Sequence, residues 1–282
     1  MSKLIDLHTH TSYSDGQYTP DELIKLAIDR GIDTLAITDH DTVNGILTVN
    51  KDDYKGIKII NGIELSAKVD KGQMHILGYG IDPENELLTT ALLDIKDKNI
   101  EATLRIIEQV KKDHGLIFGD DEIAELVNAD HNIGRPDVAL LCVKHGYVTS
   151  VSDAFKKYLI DAYNKTRKDG KGIPYEECIG LIRASGGIPV LAHPTTLNLS
   201  KEELEQLLRE MIMEGLKGIE VYHSNQSKKE SEFYLSLAQK YHLLVSGGSD
   251  FHGPNIKPDI ELGTGKNNNL KIKSLSILPR LK

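Results

Sequence analysis

The sequence lacks an excess of basic residues, a cysteine motif and any long apolar run. Its two cysteines, Cys142 and Cys178, match no metal-binding or redox spacing, so we expect reduced thiols. The formal net charge of −8 argues against binding to duplex nucleic acid, which needs a basic surface to displace counterions. No apolar run approaches the roughly 20 residues that cross a bilayer, and the first residues contain no signal-peptide core. We therefore predict a cytoplasmic protein that binds neither duplex nucleic acid nor a membrane.

Two further signals are missing from the sequence. It contains no glycine-rich phosphate loop of either standard pattern, and no segment indicates an obligate protein partner. The acidic charge does not exclude a small phosphorylated substrate, because bound metal ions can supply positive charge locally. With 282 residues, of which 39% are hydrophobic and 27% charged, the composition is that of a globular enzyme, and the length suits one large domain with an insertion.

Metal-binding residue types follow the first apolar run of the chain. Residues 3–7 predict a short buried strand, and His8 and His10 then project to one side because side chains alternate along an extended chain. Asp15 follows in a turn-rich segment. Two imidazoles and a carboxylate suit zinc, manganese or iron. An isolated pair of histidines at this spacing is equally compatible with a chance surface pair.

The same arrangement recurs after the later apolar runs, so that seven strand candidates carry titratable residues at or near their ends. These residues are Asp39, His40, Asp41, Glu64, His75, His193, Glu220, His223, Asp250 and His252. Amphipathic helices separate several of the strands. Polar residues gathered at strand ends predict a β/α barrel, whose active site lies at that face. An open doubly wound sheet gathers ligands around one switch point, so contributions from seven strands favour a closed or nearly closed barrel.

Seven of the eleven histidines share this position, together with several carboxylates. Unpaired ionisable groups crowded into one pocket would be costly, and divalent ions relieve that cost. The pattern therefore predicts a metal site with more than one ion. Glu220 is open to two interpretations, a structural acid that faces the core or an outer partner of a metal ligand.

Residues 84–172 interrupt the alternation with four predicted helices and no convincing strand. We interpret them as an inserted helical cap that contributes to substrate binding, with the barrel formed by residues 1–83 and 173–282. Arg135 lies just ahead of a helix start, where its guanidinium and backbone N–H groups could bind phosphate together, although a surface arginine beside a turn is the alternative. The basic tract 165–168 is interpreted as a solvated loop, with a lid as the alternative. The alternating apolar residues of the tail, 270–277, predict an edge strand beneath the barrel.

Several motifs together carry a family resemblance. Residues 6–10 with 14–16, then 38–41, 62–64, 192–194 and 249–252, resemble the successive motifs of the PHP (polymerase and histidinol phosphatase) superfamily. The helical block with Gly134-Arg135-Pro136 resembles that of stand-alone PHP phosphoesterases acting on nucleoside monophosphates or 3′,5′-bisphosphates. The resemblance implies an α/β fold, a distorted (β/α)7 TIM-like barrel with an inserted helical subdomain, and a centre of three divalent ions (Mn²⁺, Zn²⁺ or Fe²⁺).

The resemblance also implies nine metal ligands in three groups. The first group is His8, His10, Glu64 and Asp250; the second is Glu64, as a bridge, with His75 and His193; the third is Asp15, His40 and His252.

Further roles follow from the same resemblance. Arg135 and His223 would contact the substrate phosphate, and His223 is also a candidate to protonate the leaving oxygen. Asp39 and Asp41 are interpreted as outer partners that orient His40 or its neighbours. Asp137 stands where the family often has a histidine.

The predicted function is that of a metal-dependent phosphoesterase. It would hydrolyse a small phosphorylated substrate, AMP or a 3′,5′-bisphosphonucleoside, by attack of a hydroxide that bridges two metals across Glu64. Four alternatives remain open: a histidinol-phosphate phosphatase, a 5′–3′ exonuclease on short RNA, a metal-dependent amidohydrolase acting on a C–N bond, and a non-catalytic metal-binding module. An extra carboxylate would favour the amine of histidinol phosphate, and a basic track with interleaved aromatic residues would favour RNA; no such track is present in the sequence.

Overall fold

The computed structural model describes residues 4–69, 71–166 and 172–281. Strands and helices alternate along most of these residues. In chain order they are β1 (Leu4–Asp6), α1 (Pro20–Asp29), β2 (Ile32–Ile37), α2 (Asn44–Leu47), β3 (Lys58–Ala67), β4 (Met74–Tyr79), α3 (Glu86–His114), α4 (Asp120–Val127), α5 (Arg135–Lys144), α6 (Val151–Ala154), α7 (Ile160–Thr166), α8 (Tyr175–Ala184), β5 (Ile188–Leu191), α9 (Lys201–Glu214), β6 (Gly218–His223), α10 (Lys228–Lys240), β7 (Leu244–Gly248), β8 (Ile260–Glu261) and β9 (Gly265–Lys266).

Strands β1 to β7 form one sheet in sequence order, and the sheet curves into a nearly closed barrel. Its two outer strands meet where the Leu7 N–H donates to the Gly247 oxygen at 3.3 Å and the Asp250 N–H donates to the His8 oxygen at 2.8 Å. Gly248 permits this approach, since a Cβ there would lie 2.3 Å from the His8 nitrogen. The predicted α/β barrel of seven strands is thereby confirmed.

The distortion of the barrel comes from β4, which runs antiparallel to both β3 and β5, whereas the other neighbouring strands are parallel. A short connection of six residues joins β3 to β4, too short for the helical crossover that a parallel pair needs. Because β4 is reversed, it begins at the barrel end where the parallel strands finish. His75, its second residue, therefore lies with the residues that follow the other strands.

Local sequence explains where the helices begin. Helix α1 has Thr19 as its cap, and the Thr19 hydroxyl accepts from the Glu22 N–H while the Glu22 carboxylate accepts from the Thr19 N–H. Pro20 occupies the first helical position, where its missing N–H costs no hydrogen bond. Helices α9 and α10 begin with the same reciprocal cap. None of the described helices combines the length and apolarity needed to cross a membrane.

The tail closes the end of the barrel opposite the strand ends that carry histidines. Leu270, Ile272, Leu275 and Ile277 are buried in one cluster with inward-facing residues of the strands. The Ile5 N–H, near the start of β1, donates to the Ile272 oxygen at 3.0 Å. The prediction of an edge strand is wrong, because residues 270–277 form no strand in the described structure. Period-two apolar alternation also fits an extended plug that presents one face to a cavity.

The five helices α3–α7, here called the inserted helices, lie between β4 and β5. The first half of α3 packs on the barrel through Leu88, Leu92 and Ile95. The second half joins a separate apolar cluster with α5 and α7. The division at residues 84 and 172 stays a prediction.

The basic tract that follows α7 lies partly inside the described structure. Lys165 belongs to the helix, and its ammonium contacts the carboxylates of Asp113 at 2.8 Å and Asp161 at 2.7 Å, so this residue is not in a solvated loop. Arg167 and Lys168 lie outside the described residues.

Candidate metal centre

Glu64 is fully buried in the middle of β3, and its two carboxylate oxygens face different histidines. Oε1 lies 2.9 Å from His75 Nδ1 and 2.8 Å from His193 Nε2. The residue was expected just after a strand that ends at Ile63, but β3 continues to Ala67 because it pairs there with β4.

The second oxygen of Glu64 faces the histidines that follow β1 and β2. Oε2 lies 3.0 Å from His8 Nε2, 3.2 Å from His10 Nε2 and 3.3 Å from His40 Nδ1. His8 and His10 project to the same side, as their spacing predicted, with ring centroids 5.3 Å apart. The carboxylate thus stands between two sets of imidazoles.

Asp15 lies close to a further group of imidazoles. Its Oδ1 is 3.2 Å from His252 Nε2 and 3.7 Å from His10 Nδ1, and its Oδ2 is 4.0 Å from His40 Nε2. One ligand atom from each of these four residues falls within a sphere of 4.8 Å separation. The structure therefore brings together Asp15, His40 and His252, as the sequence predicted.

Asp250 connects this centre to two other side chains. Its Oδ1 is 3.3 Å from His10 Nε2, and its Oδ2 lies 2.6 Å from Lys257 Nζ and 3.2 Å from His223 Nε2. Asp250 has a backbone φ of 57°, as Asp41 has 52° and His193 has 22°. Such left-handed conformations are uncommon for these residue types and are typical of functional sites.

Several buried ligand atoms at this centre have no hydrogen-bond partner among the described residues. They are both ring nitrogens of His10, Nδ1 of His40 and Oδ1 of Asp15. Carboxylate oxygens lie near each nitrogen, but not in hydrogen-bond geometry. Separations of about 3 Å are those of two ligands held at about 2.1 Å by one ion. Imidazole and carboxylate donors in this arrangement fit divalent transition-metal ions.

The protonation states of this centre suit metal binding in part. Burial lowers the pKa of His40 well below its usual value and lowers that of His252, so both rings are neutral. Burial would raise the pKa of Glu64, but His40 and His8 outweigh it and hold that pKa well below its ordinary value. Burial would lower the pKa of His10, and Asp250 and Glu64 raise it to about 9. Metal ions would therefore compete with protons at His10.

Asp39 supports the turn that carries Asp15. Its Oδ1 accepts from the Thr11 N–H at 2.6 Å and from the Ser14 hydroxyl at 2.7 Å, while its Oδ2 accepts from the Thr11 hydroxyl. Burial raises the pKa of Asp39. These bonds fix the backbone next to Asp15, so the contacts of Asp39 are to a neighbouring loop, not to the His40 ring.

Asp41 links the loop of His40 to the inserted helices. Its Oδ2 accepts from the Asn99 side-chain amide of α3 at 3.1 Å. Asn99 also donates to the Asn132 side-chain oxygen at 3.2 Å, and the Asn132 amide donates to the His40 oxygen at 3.0 Å. The Asn132 N–H in turn donates to the Tyr13 oxygen at 3.1 Å. We call Asp41, Asn99 and Asn132 the cap anchor, because they fasten the inserted helices to the loops that carry metal-binding residues.

A cavity of about 480 Å³ opens beside the centre, and Arg135 lines it from the inserted helices. The Arg135 guanidinium carbon lies 4.3 Å from the ring centroid of Tyr163 and 5.6 Å from that of Phe155. Burial lowers the pKa of Arg135, although a guanidinium remains charged at neutral pH. Lys257 lines the same cavity from the loop after β7. In the described part of the chain, these two are the Lys or Arg side chains of the cavity wall.

Asp137, which stands where a histidine was expected from the family pattern, is occupied by local contacts. Its carboxylate accepts from the Gly134 N–H at 2.7 Å and lies 2.7 Å from His131 Nε2. This hydrogen bond raises the pKa of His131. Asp137 thus fixes the turn ahead of Arg135 and is not among the residues that line the cavity.

His223 differs from the other histidines of the centre in its hydrogen bonds. The Asn225 N–H donates to His223 Nδ1 at 3.2 Å, so a neutral ring carries its proton on Nε2. That nitrogen faces the Asp250 carboxylate at 3.2 Å. An Nε2–H can donate a hydrogen bond or a proton, whereas a metal ligand must present a lone pair.

Two residues at the centre were not identified from the sequence as having a role. Lys257 lies in a loop with no motif, and nothing in its sequence distinguishes it from a surface lysine. Glu220 was left open, and three-residue spacing in a regular strand would place Glu220 and His223 on opposite faces. An irregularity in β6 between Glu220 and Tyr222 changes that alternation, so both side chains reach the centre.

Comparison with known proteins agrees with this geometry. The family model described as the PHP domain matches residues 6–246. The chain belongs to the PHP domain family. The predicted function of a PHP-type metal-dependent phosphoesterase is confirmed at this level, while the number and identity of its metal ions are not determined by family membership.

Similar proteins in the PHP family include enzymes with different named activities. The chain is 34% identical over 264 residues to the 5′-3′ exoribonuclease Rnm of Escherichia coli K12, covering 92% of this chain and 88% of the relative. It is 31% identical over 255 residues to a 3′,5′-nucleoside bisphosphate phosphatase of Chromobacterium violaceum, covering 89% and 87%. A solved structure from Bifidobacterium adolescentis, described as a metal-dependent phosphoesterase, superposes with a TM-score of 0.79 at 30% identity, covering 95% and 94%.

Proposed function

We propose that this PHP protein hydrolyses a phosphomonoester of a small nucleotide, AMP or a 3′,5′-bisphosphonucleoside, at a centre of three divalent ions. The observation that carries the proposal is the Glu64 carboxylate, whose oxygens each face a separate set of imidazoles at 2.8–3.3 Å. A carboxylate that serves two ligand sets is the arrangement expected for a bridge between neighbouring metals. The relative from Chromobacterium violaceum, named as a 3′,5′-nucleoside bisphosphate phosphatase, supports the substrate class.

The proposed ligands form three sets. His8, His10, Glu64 and Asp250 would hold one ion, Glu64 with His75 and His193 a second, and Asp15, His40 and His252 a third. Divalent ions there would neutralise phosphoryl charge and activate water as the nucleophile. Manganese, zinc and iron all suit imidazole and carboxylate ligands. A cytoplasmic location stays part of the proposal.

The chain's own residues would bind and orient the phosphate. Arg135 is charged and buried between two aromatic rings, so its donors are fixed before substrate arrives. His223 presents an N–H at Nε2 and could donate to a phosphoryl oxygen or protonate the leaving oxygen. Lys257 adds a second permanent cation, which suits a substrate with two phosphates.

A second candidate is 5′–3′ removal of nucleotides from short RNA, and the Escherichia coli relative favours it. Both reactions are hydrolyses of a phosphoester next to a nucleoside, so the same centre could perform either. The cavity of about 480 Å³ falls in the range of small-molecule sites, which favours a single nucleotide. Along the described cavity wall, Arg135 and Lys257 do not form the continuous basic track that a longer strand would follow.

The experiment that tests the proposal is a substrate panel with the Mn²⁺-loaded protein. Release of product is measured from AMP, 3′,5′-bisphosphoadenosine, histidinol phosphate and a short 5′-phosphorylated RNA. We expect the highest kcat/KM with AMP or the bisphosphate. Nucleotide release from the RNA alone would make the protein an exonuclease, and preferred turnover of histidinol phosphate would overturn the nucleotide assignment. No turnover of any member by protein with bound metal would contradict phosphoester hydrolysis by this centre.

A further inference from the structure

Glu220 is a fully buried acid directly behind two of the proposed metal ligands. Its Oε1 lies 2.9 Å from His8 Nδ1, and its Oε2 accepts from the His193 N–H at 2.7 Å. His8 follows β1 and His193 follows β5, so one carboxylate on β6 contacts residues from two distant parts of the barrel.

The contact with His8 decides which ring nitrogen can bind metal. A carboxylate accepts hydrogen bonds and cannot donate one when ionised, so His8 Nδ1 must carry the proton. His8 Nε2 then presents its lone pair, and this nitrogen is the one that lies 3.0 Å from Glu64 Oε2. Carboxylates in this position behind a ligating histidine fix its tautomer and its orientation.

The contact with His193 acts on the backbone. His193 has a φ of 22°, a conformation that a histidine rarely adopts, and its N–H is held by Glu220. The ring is held separately, because Nδ1 lies 2.9 Å from the Thr196 hydroxyl. That hydroxyl can donate to the Gln73 oxygen at 2.9 Å and so accept from His193. His193 Nε2 is thereby directed at Glu64 Oε1, 2.8 Å away.

Glu220 could also be considered as a metal ligand, since its carboxylate groups spatially with His8 and His223. Its two oxygens, however, each already accept a hydrogen bond from a donor at 2.9 Å or less. The proposed ligand atoms of His10 and Asp15 lack such partners. This difference separates a group that orients ligands from groups that bind an ion.

We propose that Glu220 is a positioning residue that prepares His8 and His193, and through them two of the metal sites, by accepting one N–H from each. The inference rests on the proposed metal centre but not on which phosphoester is cleaved. It assigns to one buried acid the simultaneous control of a ring tautomer and of a strained backbone.

The test is the isosteric change Glu220→Gln. A glutamine offers one acceptor and one donor group, so either the His8 Nδ1–H or the His193 N–H would face an amide NH₂. We expect a folded protein whose affinity for Mn²⁺ falls about 10- to 100-fold, as for other outer-partner changes. Metal content is measured by elemental analysis after equilibrium dialysis at fixed free Mn²⁺, together with circular dichroism. Unchanged Mn²⁺ affinity in a folded Glu220→Gln protein would overturn the inference.

Tyr79→Phe is the matched control, because Tyr79 is also fully buried within the barrel and its hydroxyl contacts Ser246 and not a proposed ligand. This variant should bind Mn²⁺ as the wild type does, and a loss equal to that of Glu220→Gln would mean that general core damage explains both. If the wild-type protein bound no metal at all, the proposed centre would fail, which is distinguishable from failure of the Glu220 inference alone.

A second measurement does not depend on the variant folding. In ¹⁵N-histidine-labelled, Zn²⁺-loaded wild-type protein, NMR should show His8 protonated at Nδ1, with its signals assigned by comparison with His8→Gln. Protonation of His8 at Nε2 would contradict the proposed role.

Discussion

Arg135 is placed at the cavity with its charge buried and its planar group flanked by Tyr163 and Phe155. A lone buried guanidinium is costly unless it has a function or a counter-charge. A substrate phosphate would provide that counter-charge. The arginine is also the first residue of α5, so the substrate phosphate would meet both a guanidinium and the start of a helix.

Arg135→Ala should therefore raise KM for nucleotide substrates while metal content stays unchanged. Loss of charge-assisted hydrogen bonds of about 1.5–3 kcal/mol corresponds to a fall of about 10- to 100-fold in kcat/KM. Steady-state kinetics with AMP and elemental analysis of the same preparation check this result. Arg209→Ala, on the exposed surface of α9, is the control and should leave both values unchanged. Normal kinetics for Arg135→Ala would mean that another group binds the phosphate.

At the scale of elements, the cap anchor determines where α5 presents Arg135. Asn99 is buried and donates to both Asp41 and Asn132. Asn99→Ala removes both hydrogen bonds and leaves buried acceptors unsatisfied, which costs about 1–3 kcal/mol of stability. We expect KM for AMP to rise several-fold as the inserted helices lose this fixed position. Urea unfolding and steady-state kinetics measure the two effects.

Lys98→Ala provides the comparison for that change, because Lys98 is exposed on the same helix. It should alter stability by no more than about 0.5 kcal/mol. Equal KM values for wild type and Asn99→Ala would show that the anchor does not position the substrate-binding face.

Helices α4 and α5 are joined by an ion-pair cluster with a defined pH dependence. Lys144 and the Gly119 N–H lower the pKa of Glu122 from 4.5 to about 2, and His145 also contacts its carboxylate at 2.7 Å. A carboxylate whose folded pKa is depressed stabilises the fold above its unfolded pKa. That contribution is lost as the pH falls from about 4.5 to about 2.

Glu122→Gln should consequently be less stable than the wild type at pH 7, and the difference should shrink at pH 3. Urea unfolding at pH 7, 4 and 3 provides the comparison. Glu125→Gln, an exposed position on the same helix, should show a smaller difference from the wild type throughout. A Glu122→Gln deficit that stayed constant with pH would assign its cause to packing and not to ionisation.

Direction of strands and irregularities within them could not be derived from the sequence. The apolar pattern of β4 is the same for a parallel and an antiparallel strand, so its reversal was hidden, although His75 was still identified as a metal-binding candidate. The irregularity in β6 left the orientation of Glu220 undetermined. In contrast, the start of α1 was predictable because Thr19, Pro20 and Glu22 each act within one helical turn.

For the whole molecule, the tail is part of the barrel core. Ile277 is fully buried among residues from the strands. Ile277→Ala should lower the free energy of unfolding by about 2–5 kcal/mol, the usual range for such core truncations. Activity per folded molecule should be retained, because the proposed centre lies at the opposite end of the barrel. Urea unfolding and kinetics at 25 °C check both statements.

Lys273→Ala is the matched change in the same segment, since Lys273 is exposed. Its effect on stability should be below about 0.5 kcal/mol. If Ile277→Ala were equally mild, the tail would not be a required part of the core.

Most of the architecture followed from repetition along the chain: apolar runs, each followed by histidines or acids, indicated one barrel with one polar end. The tail escaped this reasoning because alternation does not distinguish a paired strand from an unpaired plug. The proposed ligands come from residues as distant as His8 and His252, and the structure brings them together because the barrel closes between β1 and β7. Lys257 was missed because loop geometry alone brings it to Asp250.

The cap anchor has a thermodynamic consequence for how the protein responds to its surroundings. Asn132 bonds to the His40 backbone, and three residues later Arg135 faces the cavity. If one conformation of this segment favours both a metal at His40 and a phosphate at Arg135, then linkage requires the two affinities to rise by the same factor. Metal scarcity would then weaken substrate capture as well as turnover, and substrate would in turn help the protein retain its metal.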